Sequence, residues 1–367
     1  MRIYTVHSKE SAAYSTPEGR TQVAKKASAD TVGREWIKGL NTQPLKRIYV
    51  FYGEEKFRRD AAVDILKKRI VPEGLEEFNF IEFEGKNINI RDLEEACESL
   101  PFMSEKKLIL VRNYDLFKNP SAELMDLIGS LPEEVCVVFL YDSEDFKPDK
   151  RTKMYQLINK IGTTANFAAA TAAELRDWIR RRFADLRKNI DNGEIDHLIF
   201  LSGTDMHTLI NEIAKVAAHA PYAQIRKEDI EAVASRCVAS RVFELCDNVA
   251  AGKADKAMRA LEDMITLRES AVMIAAMLGR QMRQLYITKC ALQEGKGVGY
   301  VSELFGFGYA FQSEKLVDMA QSIPLATLRK CTILCCEADL SLKSSKQEDY
   351  AILKLLTLEL INAVKQK

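Results

Sequence analysis

The stretch RIYVFYGEEKFRRDAAVDILKK at residues 47–68 decides the fold. It opens with a short run of β-branched, aromatic and aliphatic residues, a composition typical of a buried strand. Gly53 ends that run, and apolar residues then recur at helical spacing as far as Arg69, which predicts a helix. A buried strand followed directly by a helix is the opening unit of a parallel α/β sheet.

The same alternation continues along the chain. Further strands are predicted at 79–84, 107–112, 135–142 and 163–167, with helices at 90–100 and 121–131 between them. This order predicts an α/β domain built on a mainly parallel sheet. A short helix is predicted at 34–40. Residues 1–33 show little periodicity and are rich in Ser, Thr, Ala and charge, which is typical of a poorly ordered extension.

Strand patterns stop at Thr171, which together with Glu174 forms a capping-box pattern. Helices are predicted at 172–188, 191–202, 205–218 and 227–235, and after Ser240 the chain is helical to its end, with an interruption at 295–311. The predicted organisation is therefore an extension at 1–33, an α/β domain at 34–168, a small all-α domain at 169–238 and a second all-α domain at 239–367.

Composition restricts the class of protein. Of 367 residues, 47% are hydrophobic and 29% charged, which fits a globular protein with substantial cores. Lys+Arg and Asp+Glu are both 53, and this balance argues against a stand-alone nucleic-acid binder.

The eight cysteines form no CxxC pair, a pattern typical of reduced thiols. No run approaches the ~20 apolar residues of a membrane span, and the first residues lack the apolar core of a signal peptide. We expect a cytoplasmic protein that contacts no membrane.

The turn after the first strand lacks the residues of a phosphate-binding loop. Such a loop has the pattern GxxxxGK[ST], whereas Gly53-Glu54-Glu55-Lys56 contains one glycine and two carboxylates. The carboxylates would repel a triphosphate. Three acids within 142–145 follow a buried strand, as magnesium-binding acids do in ATPases, but they have no phosphate to serve. We expect no catalytic residues, no cofactor and no metal site.

The tetrad Leu100-Pro101-Phe102-Met103, called the apolar tip below, joins a predicted helix to the strand at 107–112. Pro101 disfavours helical geometry at Leu100 and so ends the helix. Loops at such junctions lie on the surface, where a group of large apolar residues marks a partner site. In the alternative interpretation, Leu100 and Phe102 cap the core of the sheet, and these residues alone do not decide between the two.

A basic run lies on the first predicted helix of the small all-α domain. Arg176, Arg180 and Arg181 are candidates for contact with DNA, because phosphate contacts come from such clusters. The alternative is an ordinary solvated helix face.

Five stretches together identify a family. They are RIYVFYGEEKFRRDAAVDILKK (47–68), LPFMSEKKLILVRN (100–113), SRVFELCDNVAAGKADKAMRALEDM (240–264), GRQMRQLYITK (279–289) and EADLSLKSS (337–345). In their order and spacing they resemble the delta subunit of bacterial DNA polymerase III, from about residue 34 to the end of the chain.

The resemblance implies a fold like that of AAA+ modules, with a RecA-like domain, a helical lid and a collar domain. It implies a clamp-loader subunit of the DNA polymerase III holoenzyme, a nucleotidyltransferase complex, that binds the beta sliding clamp and holds the ring open for primed DNA. Such a subunit has no ATPase activity of its own and joins the gamma/tau and delta prime subunits through its collar. The family's clamp contact ends in Leu-Phe, whereas this chain has Pro101-Phe102. The alternatives are a nucleotide-binding AAA+-type ATPase or switch, and a helical scaffold without clamp contact.

Overall fold

The computed structural model describes residues 32–85, 88–118, 120–344 and 348–366. They divide between two compact units, Met1–Ala169 and Ala170–Lys367. Residues 1–31 of the predicted extension lie outside the described part. Val32 already belongs to the first unit, since its side chain is buried and its amide donates a hydrogen bond to the carbonyl of Asn166 at 3.0 Å.

The first unit contains five strands and six helices within the described residues. In chain order they are α1 (Arg34–Gly39), β1 (Ile48–Tyr52), α2 (Lys56–Ile70), α3 (Glu76–Asn79), β2 (Phe80–Glu84), α4 (Ile90–Glu98), β3 (Lys107–Arg112), α5 (Ala122–Gly129), β4 (Val135–Leu140), α6 (Lys153–Ile161) and β5 (Gly162–Asn166).

All five strands run parallel in the order β2-β3-β4-β1-β5, which confirms the predicted sheet. In the register, Ile48 of β1 lies beside Val137 of β4 and Gly162 of β5. A Cβ atom at Gly162 would lie 2.1 Å from the carbonyl oxygen of Ile48. Only glycine therefore allows β5 to approach β1 at this point.

Both faces of the sheet are covered, as the nearly continuous apolar strands require. Alternate residues of β1 point to opposite faces: Ile48 and Val50 pack with α4, α5 and α6 on one side, while Tyr49 and Phe51 pack with α1 and α2 on the other. The edge strand β2 is only partly buried. The core is therefore centred on β3, β4 and β1.

The described residues of the second unit form helices and no extended strand. The helices are α7 (Ala172–Asp185), α8 (Asn192–Ser202), α9 (Met206–His219), α10 (Lys227–Val233), α11 (Val238–Ala250), α12 (Ala254–Thr266), α13 (Ala271–Gln293), α14 (Val298–Phe305), α15 (Ala310–Ser322), α16 (Leu325–Ser344) and α17 (Asp349–Lys365). Thr171 and Glu174 form the predicted capping box at the start of α7. The long helix α13 packs against α11, α15 and α16 around the core of α11–α17. The division of this unit at residues 238 and 239 stays a prediction.

Three helices fall where the sequence pattern predicted none. α3 is a single turn before β2, α6 fills the interval between β4 and β5, and α14 lies inside the interruption predicted at 295–311. In α6, Met154, Tyr155 and Ile158 are buried and Thr152 caps the first turn. The buried residues are spaced as one face of a helix, so the sequence contained this pattern, although the strand that follows directly obscured it.

Candidate functional site

The apolar tip lies in the connection between α4 and β3, at the amino edge of the parallel sheet. Asn89 caps the start of α4, because its side chain accepts a hydrogen bond from the Arg91 amide. The helix ends at Glu98, two residues before the predicted end, and Ser99 is already extended with ψ of 137°. Pro101 explains this early end, since it disfavours helical geometry in the residue before it.

The side chains of the apolar tip point largely into solvent. Leu100 is 83% exposed, Met103 79% and Phe102 48%, while Pro101 is partly exposed. These exposures favour the partner-site interpretation over a role in capping the sheet core, because a core residue would be sequestered. Large apolar groups exposed together in this way are typical of a docking surface.

Phe78 extends this surface and was missed in the sequence analysis. Its ring lies against that of Phe102, with ring centroids 4.9 Å apart and planes inclined by 39°, and its side chain is 56% exposed. Phe78 lies on α3, a helix too short to show an apolar period. Its position within FNF, directly before a predicted strand, was the one available signal.

Asn79 holds the backbone of the tip. Its side chain is fully buried. Its Oδ1 accepts a hydrogen bond from the Phe102 amide at 2.8 Å, and its Nδ2 donates to the Phe102 carbonyl at 2.8 Å. Met103 follows with a φ of 50°, a left-handed conformation that an unbranched side chain adopts at a cost. The paired hydrogen bonds offset that cost and fix the direction in which the tip projects.

Two further side chains anchor the connection. The hydroxyl of Ser104 lies 3.0 Å from the Ile70 carbonyl oxygen and 2.9 Å from that of Lys106. The buried ammonium of Lys107 donates to the carbonyls of Ala96 and Ser99 and lies 2.5 Å from the Ser99 hydroxyl. A cation on the last carbonyls of a helix is favourable, so Lys107 caps α4 directly before the tip.

Burial around Lys107 affects two titrating groups. Desolvation lowers the pKa of the Lys107 ammonium, and the neighbouring Cys97 thiol partly opposes that shift. Burial also raises the pKa of Cys97 to about 11. Cys97 is therefore a protonated, unreactive thiol at neutral pH.

The carboxyl edge of the sheet is where open α/β sheets bind ligands. Here the turn between β1 and α2 consists of Gly53, Glu54 and Glu55. Gly53 has a φ of 117°, and a Cβ atom there would lie 2.4 Å from the Phe167 carbonyl oxygen, which also accepts a hydrogen bond from the Glu55 amide at 2.9 Å. The turn thus packs directly against the chain that leaves β5.

Arg59 occupies the interior of this edge. Its side chain is 2% exposed, donates to the Tyr141 carbonyl and lies 3.9 Å from the Asp142 carboxylate. Asp142 also exchanges two hydrogen bonds of 2.9 Å with the side chain of Asn113, and Arg112 lies 3.9 Å from the same carboxylate. Burial lowers the pKa of Arg59, and Asp142 opposes the shift. Asp142, the first of the three candidate magnesium-binding acids, is thus engaged by protein groups.

The three candidate DNA-contacting arginines lie on α7, and each has a carboxylate partner. Arg176 forms a bidentate pair with Asp196 at 2.6 and 2.8 Å. Arg180 and Arg181 lie 3.0 and 2.9 Å from the two oxygens of Asp177. These pairs reduce the net positive charge that α7 presents to solvent. DNA contact by these residues stays a prediction.

In the described part of the chain, no three His, Cys, Asp or Glu side chains are grouped so that they could hold a metal ion. Of the helices in the same residues, none combines the length and the apolar content that crossing a membrane requires.

Comparisons with known proteins agree on one family. Residues 49–168 match the family model of the DNA polymerase III delta subunit, and residues 239–360 match that of the C-terminal domain of the same subunit. The chain is 21% identical over 332 residues to the DNA polymerase III subunit delta of Bacillus subtilis, covering 88% of this chain and 95% of the relative. It is 19% identical over 283 residues to the probable DNA polymerase III subunit delta of Aquifex aeolicus, covering 74% and 79%.

A solved structure shares the fold. The Bacillus subtilis DNA clamp loader delta protein superposes with a TM-score of 0.55 at 21% identity, covering 89% of this chain and 98% of the other. Two models of the same family together span most of both units, and a full-length relative aligns along nearly its whole length. The chain therefore belongs to the delta subunit family of DNA polymerase III, the clamp-loader subunit that its sequence resembles.

Proposed function

We propose that this clamp-loader subunit binds the beta sliding clamp through the apolar tip and Phe78, and holds the ring open for loading onto primed DNA. One observation carries the proposal: Leu100, Phe102 and Met103 are exposed on a backbone that Asn79 fixes by two hydrogen bonds. Leu100 and Met103 in particular bury little surface in the isolated chain, so burial in a partner accounts for their exposed positions.

The energy gained by burying the apolar tip is of the same order as the energy needed to hold the ring open. Full burial of a Leu, Phe or Met side chain contributes about 1.5–3 kcal/mol. A ring that is closed 99 times in 100 becomes open 99 times in 100 when its partner prefers the open form by about 5.5 kcal/mol. Three or four anchors reach that value, provided that the open ring buries them and the closed ring does not.

Preorganisation of the loop strengthens the proposal. A mobile loop loses conformational freedom on binding, at about 0.5–1.5 kcal/mol for each immobilised side chain with many rotamers, in addition to its backbone ordering. The hydrogen bonds of Asn79, Ser104 and Lys107 already order the backbone on both sides of the tip. Most of the burial energy is then available for binding.

Assembly with other clamp-loader subunits, gamma/tau and delta prime, is proposed through α16 and α17. Ile333, Cys336 and Leu340 lie at positions i, i+3 and i+7 of α16 and are exposed, so they share one face. On α17, Leu355 is 58% and Leu358 45% exposed. These five residues are named the collar face. Ile361, three residues after Leu358 on α17, is buried and belongs to the core.

Contact with primed DNA in the assembled complex is proposed for Arg176, Arg180 and Arg181. DNA phosphates would have to displace the carboxylates of Asp177 and Asp196 from these arginines, or bind the same guanidinium groups beside them.

A role in replication also supports a cytoplasmic location, which the composition of the chain predicts.

We propose further that the chain has no ATPase activity and that neighbouring subunits hydrolyse the nucleotide. The residues of the turn at Gly53 support this, because they include no lysine-serine or lysine-threonine pair for a Mg²⁺-bound triphosphate.

Ring opening by the purified chain tests the proposal. A beta clamp carrying a fluorophore on each side of one subunit interface reports separation through loss of energy transfer. We expect the chain to lower the transfer efficiency without nucleotide. Binding without any change in energy transfer would contradict ring opening, and no binding at all would contradict the whole proposal.

A further inference from the structure

A cavity of about 360 Å³ lies within the second unit, between α8 and the helices α11, α13 and α15. This volume lies in the range of small-molecule sites. Three phenylalanine rings form one wall, with Phe200 lying 5.4 Å from Phe243 and 5.6 Å from Phe311 between ring centroids, each edge to face. The cavity therefore presents flat apolar surface on which the body of a ligand can pack.

The charge of the cavity has one sign. Its lining includes Lys315 and Arg280 and no Asp or Glu. The Lys315 ammonium lies 3.9 Å from the ring centroid of Phe200 and 5.3 Å from that of Phe243. No carboxylate among the described residues lies within ion-pair distance of either cation. Burial lowers the pKa of the Lys315 ammonium, and the carboxylate of Asp247, beyond ion-pair distance, partly opposes that shift. A cation in this position gains from an anionic partner.

A second polar group in the lining is unsatisfied. Ser240 is 2% exposed, and its hydroxyl has no hydrogen-bond partner within the described structure. Buried hydroxyls are nearly always paired, because an unpaired one carries a desolvation cost. Ser240 lies on α11 and lines the same cavity as Lys315 of α15. A ligand oxygen that reaches the Ser240 hydroxyl would supply its missing hydrogen-bond partner.

We propose that this cavity binds a small organic anion, with an aromatic or aliphatic body among the three phenylalanine rings and a carboxylate, sulfonate or phosphate group near Lys315. The adjoining cavity, also lined by Phe200 and Lys315, carries Glu194 and Asp196 as well as Lys227. The cavity on the Ser240 side carries cations without acids, so an anion is favoured there. A bound ligand would join α8 to α11 and α15 and stiffen the second unit between these helices. This inference does not depend on clamp binding.

Fluorescence titration of the full chain with 8-anilinonaphthalene-1-sulfonate tests the proposal, with the uncharged N-phenyl-1-naphthylamine as the matched probe. We expect saturable binding of both. Lys315→Met should weaken the sulfonate about tenfold, the value of one ion pair of roughly 1.4 kcal/mol, and change the uncharged probe less than twofold. Lys330→Met, an exposed lysine on α16 outside the cavity, should leave both affinities unchanged.

Ser240→Ala separates ligand binding from a structural role. Removing an unpaired buried hydroxyl should leave the melting temperature unchanged or raised, while sulfonate affinity falls severalfold. Equal sulfonate affinity in the wild type and Lys315→Met would overturn the proposal. So would a loss of sulfonate binding in Leu100→Ser, because the probe would then be bound at the apolar tip.

Discussion

Asn79 and Phe102 are 23 residues apart, and the Asn79 side chain satisfies both backbone polar groups of Phe102, each at 2.8 Å. One buried side-chain amide thus holds Phe102 in the exposed apolar tip, through the same pair of hydrogen bonds that two paired strand residues make. The aromatic contact of Phe78 with Phe102 lies beside it. The short helix α3, which carries both Phe78 and Asn79, is therefore part of the candidate site.

Replacing Asn79 by Ala should loosen the tip without exposing new apolar surface. We expect the free energy of unfolding to fall by about 1–3 kcal/mol, the range for a lost buried hydrogen-bonding group. Clamp affinity should fall severalfold, because the loop then has to be ordered on binding. Urea denaturation and surface plasmon resonance against the beta clamp measure the two effects. Unchanged clamp affinity in a destabilised variant would show that Asn79 serves the fold alone.

Lys107 is expected to act on the same loop from its other end. Lys107→Met keeps the length of the side chain but removes the donors that cap the carbonyls of Ala96 and Ser99. We expect the free energy of unfolding to fall by about 1–3 kcal/mol in urea denaturation. Lys106→Met is the matched control, since the Lys106 ammonium donates to the Glu133 carbonyl at the surface, and loss of an exposed contact should cost about 0.5 kcal/mol or less. Equal losses for the two variants would argue against the cap.

The sequence predicts the features that depend on residues close together along the chain, and it misses those that depend on distant residues. Strand and helix alternation is a local pattern, and it predicted the parallel sheet, whereas the apolar run at 100–103 left a partner site and a core cap equally open. The partner of Arg180 and Arg181 is also local, because Asp177 lies three and four residues away, a spacing that places ion pairs on a helix surface. The burial of Arg59 depends on its contact with Tyr141, 82 residues along the chain. The order of the strands depends on pairings such as Ile48 with Val137 and Gly162, and no local pattern reveals either.

The same distinction applies within the site. Leu100, Phe102 and Met103 form a conspicuous apolar run, whereas Asn79 is one polar residue among many until the fold brings it to Phe102. Asp196 lies 20 residues from Arg176 on another helix. The sequence pattern of α7 therefore does not show that the charge of Arg176 is neutralised. The apolar run named the candidate residues, and the tertiary contacts supplied the residues that position them.

Nucleotide titration tests the interpretation of the carboxyl edge. With a fluorescent ATP analogue and Mg²⁺, we expect no saturable binding below millimolar concentration. The physical reason is that Glu54 and Glu55 form part of the turn, where their carboxylates repel phosphate, and that Gly53 packs on the Phe167 backbone. Saturation at micromolar nucleotide would favour the alternative of a nucleotide-binding switch.

Cysteine alkylation tests the collar face. Burial raises the pKa of Cys331 to about 11 and that of Cys335 to about 12, so at pH 8 each is roughly one part in a thousand thiolate or less. Exposed Cys336 should react first with iodoacetamide, as read by peptide mass spectrometry. Assembly with gamma/tau and delta prime should slow that reaction severalfold, whereas the beta clamp alone should not. An unchanged rate in the assembled complex would exclude Cys336 from the interface.

The affinity of the chain for the beta clamp, compared across three single variants, tests the central claim most directly. Leu100→Ala and Phe102→Ala should each weaken binding by about tenfold or more, with melting temperatures within a few degrees of the wild type. Leu186→Ala removes a side chain that is 46% exposed in the second unit and should leave affinity within about twofold. If both tip variants bind the clamp as tightly as Leu186→Ala and the wild type, the clamp contact lies elsewhere on the chain.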